Sequence, residues 1–257
     1  MDPYGQSYGQ SYGQSQPISC PQCGAPAPFR GAAVSLVCEF CDSTIVRTGI
    51  DVRLVGKVSA IVDNGSPVIL GSRGRHRGVP FEVAGRLQVQ YGRGTWNEWF
   101  VEFADGTQGW LADAQGQFSI VRPKDPRIVA GRVPAFTGLQ VNMVLTIDGI
   151  EAVVVDRRGA SYKGAEGILP FEAEPGMVFY GADLRGFQGE LVTLDYGTSP
   201  SHSQPIPYVG EAIELSAVGL HPVRQFEGWR FTGWGQQARA NPGARPGARP
   251  TPGRPGR

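Results

Sequence analysis

Four cysteines are the only thiols in this chain of 257 residues, and they fall into two pairs of the form Cys-x-x-Cys. Cys20-Pro21-Gln22-Cys23-Gly24 is followed, after fourteen intervening residues, by Cys38-Glu39-Phe40-Cys41. Two residues between cysteines let both thiolates reach one ion from a tight turn, and Gly24 eases the backbone conformation that aims amides at sulfur. Two such turns on neighbouring hairpins complete a tetrahedral four-sulfur site, the geometry that zinc accepts. The apolar run Ala33-Val34-Ser35-Leu36-Val37 leads into the second turn, as a zinc ribbon requires. Two disulfides would use the same residues, but no export signal is visible and the spacing fits a metal better. An iron site is the other alternative. With all four thiolates supplied by protein, no position is left for a reactive water, so a Zn2+ held here is expected to be structural.

Outside that block, residues that could do chemistry are sparse. His76 sits in Ser72-Arg73-Gly74-Arg75-His76-Arg77-Gly78, where Arg73, Arg75, His76 and Arg77 could receive an anion. The alternative is a solvated loop after a hairpin. His202 lies among turn residues, and His221, before Pro222, reads as the cap of a strand. With the thiols assigned to metal no nucleophilic Cys remains, and neither a Gly-x-Ser-x-Gly elbow nor a phosphate-cradling loop is present. Glu98, between Trp96 and Trp99, could be a carboxylate of raised pKa fit for acid–base work; Asn97, Asp183 and Asp195 are the other polar candidates. Trp96, Asn97, Glu98 and Phe100 would equally suit an interaction surface for a peptide or sugar, or an exposed strand face on which Glu98 is simply solvated. No set amounts to a catalytic constellation, so the chain is not expected to be an enzyme.

The elements that must carry these residues are short. The chain holds 37 glycines and 21 prolines, about 23% of its length, roughly twice average usage. Each disfavours a helix interior, by roughly 1 and 3 kcal/mol relative to Ala, and the longest stretches free of both are residues 32–48 and 95–105. A helical bundle or a doubly wound α/β domain has nowhere to put its helices. The expected class is all-β: an N-terminal zinc ribbon, two related small β-barrel or sandwich units, and disordered tails. Residues 1–17 carry a Tyr-Gly-Gln-Ser repeat that cannot bury enough surface to fold alone. The ribbon takes 18–48, the first β unit 52–125 and the second 133–235. Residues 236–257, rich in Pro, Gly and Arg, form an extended tail.

Turn signals divide the units further. Asp63-Asn64-Gly65 between 58–62 and 68–70 reads as a hairpin. A clearer one spans 96–112 around Asp105-Gly106. A two-residue loop there puts Trp99, Val101, Phe103 and Trp110 on one face, as core, and Trp96, Glu98, Phe100, Glu102 and Leu111 on the other. A third centres on Asp148-Gly149, where Met143, Leu145, Ile147, Ile150, Ala152 and Val154 share an apolar face. Later strands are expected at 177–180, 190–196 and 211–218.

The string Gly85-Arg86-Leu87-Gln88-Val89, Gly94-Thr95-Trp96-Asn97-Glu98-Trp99 and Asp105-Gly106-Thr107-Gln108-Gly109-Trp110-Leu111 resembles a bacterial family known as a domain of unknown function, number four-one-seven-eight. The second unit resembles the same family's other half in Ala165-Glu166-Gly167, Leu169-Pro170-Phe171, Asp183-Leu184-Arg185-Gly186, Asp195-Tyr196 and Pro207-Tyr208-Val209-Gly210-Glu211. The resemblance covers roughly residues 52–220 and implies a β-rich bacterial protein with no established activity, encoded beside membrane or envelope-stress genes.

Net charge is +1, but residues 236–257 carry five Arg and no acid, which leaves the remainder at −4. By charge, only the tail could bind nucleic acid. No run approaches the roughly 20 apolar residues of a membrane span, and no signal peptide is visible, so a cytoplasmic location is expected, peripheral to the membrane through partners. The leading functional expectation is a non-enzymatic interaction or scaffold module with a protein partner. The alternative is nucleic-acid binding through the ribbon and the Arg-rich tail.

Overall fold

Short extended runs between turn residues become thirteen strands in a computed structural model that describes residues 18–30, 33–48, 51–57, 61–92, 94–201 and 204–226. Both tail segments expected from the sequence, 1–17 and 236–257, lie outside the described residues. So does His202.

Strands β1 (Ser35–Val37), β2 (Ser43–Thr48) and β3 (Asp51–Lys57) form an antiparallel sheet around the cysteine turns. A short β4 (Arg73–His76) then lies on β5 (Val79–Tyr91), which begins a meander with β6 (Gly94–Phe103), β7 (Gln108–Ala114) and β8 (Gln117–Pro123). Two 3-10 turns, Pro126–Ile128 and Phe136–Gly138, lead to β9 (Val144–Ile147) and the 20-residue β10 (Ile150–Leu169). The chain continues through β11 (Val178–Gly186), β12 (Glu190–Asp195) and β13 (Ile206–Ile213).

Whether the two β units pack as one domain was open from sequence. Strands β5–β8 pair in order, as do β10–β13; β13 pairs β8 and β10 pairs β5, all antiparallel. Each unit therefore supplies four strands to one closed eight-stranded ring. A closed ring has no free edges among its members, and eight strands leave an interior wide enough for side chains or one small ligand.

Bulges decide what faces that interior. In β5 the register shifts between Val83 and Gly85, and in β10 between Val154 and Asp156. An extra residue reverses the alternation of faces. Hence Phe81 and Val83 join an outer cluster with Trp99, Val101, Phe103, Leu111 and Ile120, whereas Leu87 and Val89 line the interior. Likewise Ala152 and Val154 pack outward against Val129, Val133, Phe136 and Leu139, while Asp156 and Arg158 turn inward. The segment after β13 covers the first outer cluster with Leu215, Val218, Leu220 and Val223. Much of the aliphatic core thus lies outside the ring, where each fully buried large side chain contributes roughly 1.5–3 kcal/mol.

Three expectations need correction. Residues 61–70 form no strands; Gln88 holds Val62 by accepting from its N–H at 2.9 Å and donating to its carbonyl at 2.7 Å, side-chain bonds in place of a ladder. The turn after β6 closes from Phe103 to Thr107, so Phe100 faces Trp110 and Trp99 faces Leu111. That one-residue slip sends Leu111 to the outer core and Trp110 to the interior. The last strand begins earlier than expected, at Ile206, and stops at Ile213. The hairpin at Asp148-Gly149 is as read: Ile147 pairs Ile150, and both turn residues have positive φ, +52° and +78°, as a type I′ turn requires.

Candidate functional site

The Sγ atoms of Cys20, Cys23, Cys38 and Cys41 all lie within 4.8 Å of one another. Cys20 and Cys41 sulfurs are 3.7 Å apart, and so are those of Cys23 and Cys38. An S–S bond is about 2.05 Å; the four are free thiols, and the two-disulfide alternative fails. The two turns are near copies. Gly24 N–H donates to Cys20 O at 2.8 Å and Asp42 N–H to Cys38 O at 2.9 Å, with φ of +75° and +57°. Sequence reading found Gly24 but not Asp42, which reaches the same left-handed region that Asp tolerates better than most residues. The group could hold a metal ion through four sulfurs.

The second site is the interior of the ring, a cavity of about 720 Å3 lined by side chains from all eight strands. Glu98, on β6, is half-buried there, and its Oε1 accepts from Trp96 Nε1 at 2.7 Å. Burial pushes the Glu98 carboxyl up to about 7; the Trp96 hydrogen bond pulls it down, and the Asp183 charge pushes it up again. Across the cavity, Arg158 on β10 donates to Asp156 and, at 2.6 Å, to Asp183 on β11. Thr193 Oγ1 on β12 donates to the other oxygen of Asp183 at 2.8 Å. The Arg158 guanidinium also lies 5.1 Å from the centre of the Trp96 ring. Burial alone would make Arg158 easier to deprotonate, but Asp183 and Asp156 outweigh it and raise its pKa.

Of the residues singled out from sequence, Trp96, Glu98, Phe100, Asp183 and Asp195 all line this cavity. An exposed strand face at Trp96 is not what forms: Phe100 is 1% exposed and Trp96 half-buried, because the strand curves into the ring. Asn97 points the other way and is fully buried. Its Oδ1 accepts from Arg86 Nε and Nη2 at 3.0 and 2.9 Å, and its Nδ2 donates to Asn64 and Asp113. Asn97 therefore pins the 61–66 loop against the outside of the ring and takes no part in the cavity. Sequence reading missed Arg158, Asp156, Thr193 and Trp110. Asp156-Arg157-Arg158 directly after the β-branched run Val153-Val154-Val155 was the available signal for the first two.

The basic segment spends its side chains on separate partners. Arg73 pairs with Glu82 and Arg75 donates to the Gly78 carbonyl. His76 Nε2 lies 2.8 Å from Glu211 Oε1, and Arg77 donates to both oxygens of Glu211 at 3.0 Å. Hydrogen bonds from Arg77 and His76 hold the Glu211 carboxyl down at about 2. The four groups tie β4 to β5 and β13, and they do not present a set of unengaged cations. His221 meets β4 through reciprocal backbone bonds with Arg73, both 2.7 Å.

A family model described as a domain of unknown function (DUF4178) matches residues 70–214, a span that takes in the whole ring and stops short of the cysteine block. No curated protein and no solved structure matches the chain.

Proposed function

The chain belongs to the DUF4178 family, and since that family lends no activity, we propose from the site itself that the protein is a non-enzymatic binding module whose barrel receives a guest in its interior. The observation that carries this reading is the cavity enclosed by the complete ring, mostly apolar with a few ionisable groups. A ring built only for stability would fill its interior with close-packed side chains; here much of the aliphatic core is placed outside, and an ionisable set is maintained within. Ligand sites of this size are mostly apolar with a few fixed polar groups, and the aromatic residues around Glu98, Arg158 and Asp183 match that description. The Thr193 hydroxyl does meet a carboxylate, but Asp183 is also held by Arg158, an engaged ion pair and not a free base, which favours binding over catalysis.

Beside the barrel, the four cysteines hold a structural Zn2+ in this reading. Four ligands about 2.3 Å from a tetrahedral zinc are about 3.8 Å apart, and the observed 3.7 Å separations suit that ion. The ribbon then acts as the interaction or scaffold element toward a protein partner, in a bacterial envelope-stress or membrane-associated system. A metal held by four thiolates would suit a reducing compartment such as the cytoplasm. Nucleic-acid binding has weaker support, because it must rest on the ribbon and the Arg-rich tail while the cavity itself carries more carboxylates than guanidiniums.

Ala112 lines the cavity on β7 opposite Glu98, so Ala112→Trp fills the space from a position outside the aliphatic core. Native mass spectrometry of gently purified full chain is expected to show a bound guest that Ala112→Trp loses, alongside one zinc per chain. Identical spectra for both proteins, with no guest in either, would defeat the binding reading.

A further inference from the structure

The chemistry of the guest can be read from what lines the cavity, an inference that rests on the interior being a binding site. Four carboxylates contribute to the lining, Glu98, Asp156, Asp183 and Asp195, against two guanidiniums, Arg158 and Arg185. Arg158 is already engaged by Asp156 and Asp183 and lies over Trp96. Glu98 is in a different position. Among the described residues its one hydrogen-bond partner is the Trp96 indole, and no Lys or Arg forms an ion pair with it. A half-buried carboxylate with a single neutral donor is under-satisfied, since ionised it can accept about four hydrogen bonds.

The rest of the wall is aromatic. Ring centroids run in sequence from Phe100 to Trp110 at 5.4 Å, to Phe171 at 6.1 Å, to Tyr162 at 5.6 Å and to Phe179 at 4.8 Å. All five residues line the cavity. They come from β6, β7, the segment after β10, β10 itself and β11, so the aromatic wall is a product of ring closure. Aromatic faces attract cations as well as carbon skeletons, and Trp96 already shows this with Arg158.

We propose that the cavity binds an organic cation with an apolar body, its ammonium or guanidinium group meeting Glu98 and its carbon skeleton lying along the partly exposed rings of Trp110, Phe171 and Phe179, which Phe100 and Tyr162 back from the core. An anion would face the excess of carboxylates. A neutral apolar guest would strip water from Glu98 and give nothing back. The cation can arrive on a small amine or on a Lys or Arg side chain of a polypeptide; the cavity chemistry is the same for both. The charges that act on Glu98 are Asp183 from β11, Arg158 from β10 and, from the outer face of β7 beside Asn97, Asp113; Asp156, Arg185 and Asp195 are the other charged groups in the cavity lining. With its carboxyl at about 7, Glu98 gains charge between pH 6 and 8, so a cation should bind more tightly at the higher pH.

The test is calorimetric titration of the full zinc-loaded chain with four probes: 2-phenylethylamine, its neutral isostere 2-phenylethanol, the carboxylate 3-phenylpropanoate, and the blocked peptide acetyl-Phe-Lys-amide. The amine is expected to bind at least tenfold more tightly than the alcohol and the carboxylate, and several-fold more tightly at pH 8 than at pH 6. Glu98→Gln, which keeps shape and the Trp96 bond, should remove both the preference and the pH dependence, with alcohol binding as tight or tighter because a neutral amide costs less to desolvate than a carboxylate. If the peptide binds as well as the free amine, the cation is delivered on a polypeptide; if it does not, the guest is a small amine. Equal binding of amine and alcohol, or tighter binding of the carboxylate, overturns the cation assignment while the cavity remains a binding site. Binding of no probe overturns the cation assignment, and if the guest seen by mass spectrometry is also missing, the binding reading falls with it.

Discussion

Glu98 is a carboxyl group whose folded environment favours the proton. Its pKa rises to about 7 through burial, whereas in an unfolded chain it lies near about 4.3. Between those values the folded state binds more protons than the unfolded state, so stability falls as pH rises. The contribution is complete below about pH 4 and lost as pH passes 7, on the order of 3–4 kcal/mol in total. Glu211, Asp63 and Asp125, each held near 2 by Arg or His partners, behave oppositely and act only in strong acid, so a window of pH 5 to 8 separates them from Glu98. Urea denaturation across that window should show wild type losing stability that Glu98→Gln retains, the variant being the more stable at pH 8. A curve for the variant parallel to wild type would mean that Glu98 is solvated after all. Its neighbour Asn97 makes a separate prediction: Asn97→Leu removes acceptors from Arg86, 11% exposed, and leaves Asp113 without a donor, costing about 2–4 kcal/mol by the same measurement at a single pH. Glu98 was legible because a carboxylate between two Trp is conspicuous in a sequence. Strict alternation also puts Asn97 with Trp99, but its partners Arg86, Asn64 and Asp113 meet only through strand register and a loop, which residue types alone do not fix.

At the level of strands, the two joins that close the ring are made at glycines. A Cβ on Gly210 in β13 would lie 1.8 Å from the Ile120 carbonyl oxygen of β8, and one on Gly85 in β5 1.9 Å from that of Ile168 in β10. Both obstacles are backbone, so no side-chain rotation relieves them. Gly210→Ala and Gly85→Ala should each cost more than about 3 kcal/mol, with amide hydrogen exchange accelerating along β8 and β13 or β5 and β10. Gly181→Ala is the control: its Cβ would stand 3.7 Å from Leu194 O, an ordinary contact, and should cost no more than about 1 kcal/mol as a strand glycine. If all three variants lose similar stability, the joins have no special tightness. Strand existence was readable from β-branched runs and turn signals. Facing was not, because the turn after Phe103 holds one residue more than the Asp105-Gly106 pair suggests, and because bulges in β5 and β10 invert alternation midway along a continuous strand.

Across the whole molecule, the cysteine block and the barrel share one core. Strand β1 pairs with the end of β10 at Ser35–Leu169 and Leu36–Ile168, and Val34 N–H donates to Leu169 O at 2.9 Å. Cys20, Cys38, Phe29, Leu36 and Ile45 belong to the same buried cluster as Leu87, Phe100, Tyr162 and Leu169. Around it, the ion pairs Arg53–Glu172 and Arg30–Glu82 have guanidiniums about half exposed and contribute about 1 kcal/mol or less each, so the shared apolar cluster dominates the attachment. Turn signals in the sequence suggest a cysteine block and two β units, since each has its own; they could not show that the units close on one another, because ring closure joins residues 71 to 95 positions apart and the β1–β10 pairing joins residues more than 130 apart. The attachment also reaches the cavity: Ser35 Oγ donates to the carbonyl of Phe171 at 2.6 Å, and the Phe171 ring is part of the cavity wall. Loss of metal from the thiols should therefore loosen the wall as well as the ribbon. Calorimetry with and without a zinc chelator is expected to give one unfolding transition in both cases, displaced several degrees downward when metal is removed, with 2-phenylethylamine affinity falling in parallel. Two separate transitions, with amine affinity unchanged by the chelator, would mean that the ribbon and barrel fold independently and that Ser35 transmits nothing to Phe171.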